Sequence, residues 1–110
     1  MSLFELKDCD LVEALQQQVT ESGITNASVL LIGAVDTFKI STMPAHDASD
    51  DIVSEYRLPA EMHGTGEVVN GKVHLHASFA VQGDRVYGGH VHAASIGTWF
   101  VRAYVTPTTT

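Results

Sequence analysis

Between Val73 and Phe79 apolar and polar side chains alternate without a break. Valine, leucine, alanine and phenylalanine take the odd positions, and His74, His76 and Ser78 the even ones. Period two marks a strand with one face against a core, whereas a helix would scatter these apolar residues around its axis. The segment Val86 to Ala94 continues the parity, with Val91 and Ala93 odd and His90 and His92 even. Gln82-Gly83-Asp84 lies between the two. Alternating segments on either side of a turn cluster read as an antiparallel hairpin.

Parity sets the register. An odd number of turn residues, such as the three from Gln82 to Asp84, pairs odd with odd and even with even. His76 then lies opposite His90, His74 opposite His92, Leu75 meets Val91 and Phe79 meets Tyr87. An even-numbered turn would mismatch the apolar rows and divide the histidines between two faces, so burial favours the first arrangement. Same-face neighbours on a strand stand ~7 Å apart, and opposed Cβ atoms ~4.5–5.5 Å apart. Imidazoles so placed can converge on one ion at the ~2.0–2.1 Å of a zinc–nitrogen bond. His74 and His76 form the pair and His90 the third ligand of an open site, with water in the remaining position. His92 is either a fourth ligand or an outer partner. Gly88-Gly89, just before His90, marks a bulge or a close approach by another group.

Plainer readings of the same residues are a polar strand face or a pH-responsive surface, since free histidine titrates near ~6.5. Glu61 is the candidate catalytic carboxylate, an acid/base group beside such a site; its alternative is a solvated acid at a strand end. His46 and His63 read as ordinary loop or surface residues.

The rest of the chain reads as α+β. Leu3, Phe4 and Leu6 suggest a first strand. Asp10 is a good N-cap, with Glu13 placed for a capping box, and Leu11, Val12, Leu15 and Val19 fall on one helical face. Gly23 is a stop signal, so the pattern predicts a helix over 11–22. The near-continuous apolar run Ala27 to Val35 reads as a buried strand, and Thr37 to Thr42 as its neighbour. Met43 to Asp51 is a polar loop whose aspartates, Asp47, Asp50 and Asp51, do not have calcium-loop spacing and read as a solvated turn. Strands follow over Ile52 to Leu58 and Glu61 to Val69, then a hairpin turn at Asn70-Gly71. Thr98 to Val105 is the last strand, which makes residues 1–105 one domain and 106–110 a flexible tail.

Composition narrows the function. The 110 residues are 45% apolar, enough for one domain with a core. Cys9 is the single cysteine, which suits a reducing compartment and, with no signal-like start or long apolar span, a cytoplasmic location. Its surroundings do not activate the thiol. The six basic residues are scattered and the net charge is −7, so phosphate backbones would repel the chain and direct nucleic-acid binding is not expected.

The Val73-His-Leu-His-Ala-Ser segment, the Gly-Asp turn and Tyr87-Gly-Gly-His-Val91 together resemble the signature of the plant and prokaryote conserved (PPC) domain. The capped helix, Gly23-Ile24 and the strand ending Ile32-Gly-Ala-Val35 agree with it. The resemblance implies an α+β fold with a curved, largely antiparallel sheet and one main helix, and homotrimers in prokaryotic members. In plants the domain accompanies AT-hook segments, and no Arg-Gly-Arg-Pro hook occurs here. The fold is also similar to that of acetolactate decarboxylase, whose zinc is held by a His-x-His and a third histidine; carried over, this implicates His74, His76 and His90. The rest of that enzyme's site has no obvious counterpart. Two classes of function follow: a trimer that binds zinc or another divalent metal and a small-molecule ligand, or a non-enzymatic protein-interaction or DNA-associated regulatory module without its own DNA-binding hook.

Overall fold

Three residues, Gln82-Gly83-Asp84, connect Val81 to its partner Arg85, and from there the register runs to Phe79 opposite Tyr87 and His76 opposite His90. In this computed structural model, which describes residues 1–109, the strands are β1 (Ser2–Leu6), β2 (Cys9–Asp10), β3 (Ala27–Val35), β4 (Thr37–Thr42), β5 (Ile52–Tyr56), β6 (Ala60–Val69), β7 (Lys72–Val81), β8 (Arg85–Ile96) and β9 (Val101–Pro107). One helix, α1 (Leu11–Glu21), follows β2. The strands form one open sheet in the order β1-β9-β3-β6-β7-β8-β4-β5, with β2 also on β8. Every pairing is antiparallel.

The sheet turns a corner at β8. Its first half, Arg85 to His90, pairs with β7, and its second half, His90 to Ser95, pairs with β4. The corner folds two sets of strands onto each other, as strands that switch sheets through a bend do elsewhere. Phe79 of β7 and Phe38 of β4 are separated by β8, and flat-sheet spacing would hold them at least ~9.6 Å apart. Their rings instead stack at 4.2 Å. Tyr56 of β5 stacks on Phe38 at 5.0 Å and on Tyr87 of β8 at 4.3 Å. This four-ring column closes the core, which Leu11, Leu15 and Val19 of the helix complete.

The helix begins where capping chemistry placed it. Asp10 accepts a hydrogen bond from Glu13 N at 3.0 Å through one oxygen and from Ala94 N at 2.8 Å through the other. One carboxylate thus caps the helix and ties it to β8. Gln16 fixes the far side: it donates to Gly71 O at 2.8 Å and accepts from Val73 N at 2.9 Å. The Asn70-Gly71 turn has positive φ at both residues (52° and 79°), as a two-residue hairpin requires.

The structure departs from the sequence pattern in several places. Strand β4, expected beside β3, pairs instead with β8 and β5. The bulge is not at Gly88-Gly89 but at His92: Lys39 pairs with Ala93 and Ile40 with Val91, so His92 is the extra residue. Inward parity on β8 therefore shifts from Val91 to Ala94, and Ala93 is not in the core. The expected pairing of His74 with His92 does not form, because the β7–β8 ladder ends at His76 and His90. Strand β3 is buried on one face only; Leu30 and Ile32 are 57% and 58% exposed, since the helix packs on the other side. The expected tail from 106 is partly strand: Thr106 and Pro107 pair with Ser28 and Ala27, and Thr108 N donates to Asn26 O at 3.0 Å. Backbone groups at the start of β3 need those partners. Thr110, the end of that expected tail, lies outside the described residues.

Replacing Asp10 with alanine removes a cap and leaves Ala94 N without its acceptor. We expect a loss of about 2 kcal/mol in urea unfolding, from these two effects together.

Candidate metal centre

The outer face of the sheet carries the histidines in a continuous cross-strand row. Leu3 of β1 faces Tyr104 of β9, which faces Leu30 of β3, then Thr65 of β6, His76 of β7, His90 of β8 and Ser41 of β4. His90 stands at the corner, paired on both sides. His74 reaches the same spot from two residues back on β7. Ring centroids are 4.8 Å apart for His74 and His76, 4.8 Å for His74 and His90, and 6.0 Å for His76 and His90.

One ring nitrogen from each of the three lies within 4.8 Å of the others. Nitrogens held tetrahedrally at ~2.0–2.1 Å from one ion stand roughly 3.4 Å apart. Rotations of exposed imidazoles supply the difference. Burial, then the neighbouring His92, His74 and His76, push the His90 pKa down, while Asp51 acts in the opposite sense. A depressed pKa favours neutral imidazole, the form that binds metal.

His92 stands outside the three ring nitrogens that converge. The bulge turns it toward β4, where its Nε2 lies 2.7 Å from Ser41 Oγ, and its ring meets His90 edge-on at 4.6 Å. It props the ring of His90 and satisfies the hydroxyl of Ser41, which is 3% exposed.

The triad opens into a cavity of about 1020 Å³ whose lining includes His63, Thr65, Ser78, Gly88, Asp51 and Met43. Two of these had plain sequence readings, and both are exposed as those readings expect. His63, expected as ordinary surface, faces Ser78 across the β6–β7 hairpin. Counting back from the Asn70-Gly71 turn pairs 63 with 78, so that signal was present in the sequence. Asp51, expected in a solvated turn, comes over the cavity from the loop between β4 and β5, and no local pattern foretells this. Glu61, the expected acid/base group, is not in this cavity. It faces Ala80, four residues from Thr65, and lines a separate cavity with Trp99 and Asp84. That offset amounts to ~13 Å along the strand. His46 does not line the cavity either. Burial, then Asp10 and Asp8, push the Cys9 thiol up, so it is no activated nucleophile.

A search of family profiles matches the Plants and Prokaryotes Conserved (PCC) domain to residues 6–107. Among solved structures, a metal-containing protein from Archaeoglobus fulgidus is similar at 27% identity and TM-score 0.85, over 96% of this chain and 77% of that one. A protein from Ralstonia eutropha JMP134, with a provisional DNA-binding name, is similar at 23% identity and TM-score 0.84, over 97% and 77%. A Staphylococcus aureus protein of unknown function, described as similar to alpha-acetolactate decarboxylase, shares 16% identity and TM-score 0.66, over 94% and 51%. The last two likenesses are of fold alone. A search of the curated proteins finds no match.

The pKa of His90 has a consequence for the metal-free protein. As pH falls, the unfolded chain takes up this proton near ~6.5, before the folded chain does. Stability from neutral His90 is therefore full above that pH and is lost as pH drops below it. In an NMR titration of the metal-free protein, the His90 ring should protonate below the ~6.5 of a free histidine; protonation at or above that pH would contradict the account.

Proposed function

The chain belongs to the Plants and Prokaryotes Conserved (PCC) domain family, and from that premise we propose that it is a homotrimeric metal-binding domain holding a divalent ion, zinc before others, on His74, His76 and His90. The observation that carries this reading is the convergence of three ring nitrogens from two strands within 4.8 Å. An all-imidazole donor set suits zinc and its transition-metal neighbours, whereas calcium and magnesium need oxygen ligands. Three protein ligands leave one position for water or a small ligand. An ion held there supplies Lewis acidity or a more acidic water. The chain's own residues fix the ligands: His92 and Ser41 brace His90, and the β7–β8 register places His76 against it. The description of the A. fulgidus relative as metal-containing supports the reading.

Trimer formation has its own support. Leu3, Leu30 and Ile32 are more than half exposed on the uncovered sheet face, and Tyr104 joins Leu3 to Leu30 in register. Such a contiguous apolar patch favours association, and closed symmetry is the usual outcome for identical chains. Nucleic acid is not the partner we infer, given the net charge of −7. No helix among the described residues is long and apolar enough to cross a membrane, and the free thiol of Cys9 fits a cytoplasmic setting.

Native mass spectrometry of protein purified without a tag and incubated with zinc tests both parts. The expected species is a trimer carrying one zinc per chain. His76→Ala should lose the metal, and Leu30→Asp with Ile32→Asp should yield monomers. Metal content unchanged in His76→Ala would sink the assignment of the site.

A further inference from the structure

The triad shares its cavity with a second cross-strand row, His63, Ser78 and Gly88. His63 of β6 faces Ser78 of β7, and Ser78 faces Gly88 of β8. All three lie on the triad's face, two residues along their strands from the row Thr65, His76 and His90. That spacing is ~7 Å. The side chains of His63 and Ser78 have no hydrogen-bond, ion-pair or ring partner among the described residues, and each can donate a hydrogen bond.

The two glycines here have different causes. A Cβ at Gly89 would stand 2.3 Å from Ser41 O, so close strand packing dictates that glycine. A Cβ at Gly88 would stand 3.0 Å from Ala77 O and 3.6 Å from Ser78 Oγ, a tight but not forbidden fit. Gly88 leaves the third position of the row empty, beside two donors without partners. No lysine or arginine lines the cavity.

We infer that His63, Ser78 and the space over Gly88 form an oxygen-binding subsite beside the metal. The ligand class is a short molecule with two acceptor-oxygen groups, one directed to the metal and the other to His63 and Ser78. The second group is a carbonyl or a single carboxylate. A phosphate would call for guanidinium groups or a nest of backbone N–H groups, and this row has only an imidazole and a hydroxyl. The inference rests on the metal reading and specifies what that site accepts.

Calorimetric titration of the zinc-loaded protein with acetate, malonate, succinate and glutarate tests it. At least one dicarboxylate should bind about tenfold more tightly than acetate, the factor worth ~1.4 kcal/mol. In the double variant His63→Ala, Ser78→Ala that advantage should vanish, with zinc stoichiometry and acetate affinity unchanged. Equal affinities across the series, or an advantage that survives in the double variant, would overturn the subsite and leave the metal reading standing. A chain that takes up no zinc would overturn both.

Discussion

Strand β8 serves two groups of strands, and the rest of the molecule depends on that division. Its first half belongs to β7 and its second to β4, and His90 is the residue shared by both ladders. The bend is held from inside by the column Phe79, Phe38, Tyr56 and Tyr87. Full burial of a phenylalanine is worth ~1.5–3 kcal/mol, and each aromatic pair adds ~0.5–1.5 kcal/mol. A slip of one residue in β7 against β8 would bring Phe79 outward and His76 inward together. The same apolar contacts that stabilise the fold therefore fix the geometry of the histidines on its opposite face.

Much of this was legible in the residues. Alternation from Val73 to Phe79, with an odd-numbered turn, gave the pairing of His76 with His90 before any coordinates. Asp10 announced the helix start. The bulge was not legible at its true place. Of the two readings of Gly88-Gly89, a bulge or a close approach, the close approach holds: Ser41 O would stand 2.3 Å from a Cβ at Gly89 and Ala77 O 3.0 Å from one at Gly88. The bulge itself falls on His92, where no glycine or proline marks it. The contact of His92 with Ser41 goes with that one extra residue. Asp51 and Glu61 show the same limit: alternation reports a side chain's face but not how far along a strand it lies, nor where a loop returns.

The apolar run of β3 is covered on one face only. Val29 and Leu31 lie on one face of the strand and Leu30 and Ile32 on the other, and within the single chain the second face is open. The sequence pattern and the exposure of Leu30 and Ile32 agree if the missing cover is another subunit. The row from Leu3 through Tyr104 and Leu30 reaches His76 across only one intervening residue, Thr65. An interface on this face would therefore border the histidine cavity and could shape its access.

The central claim is that three strand histidines bind one ion in an open site. X-ray absorption on the zinc-loaded protein tests it most directly. The account predicts four light-atom ligands at ~2.0–2.1 Å, with outer-shell scattering from three imidazoles that falls to two in His76→Ala. Six oxygen-type ligands, or imidazole scattering that His76→Ala leaves unchanged, would contradict it.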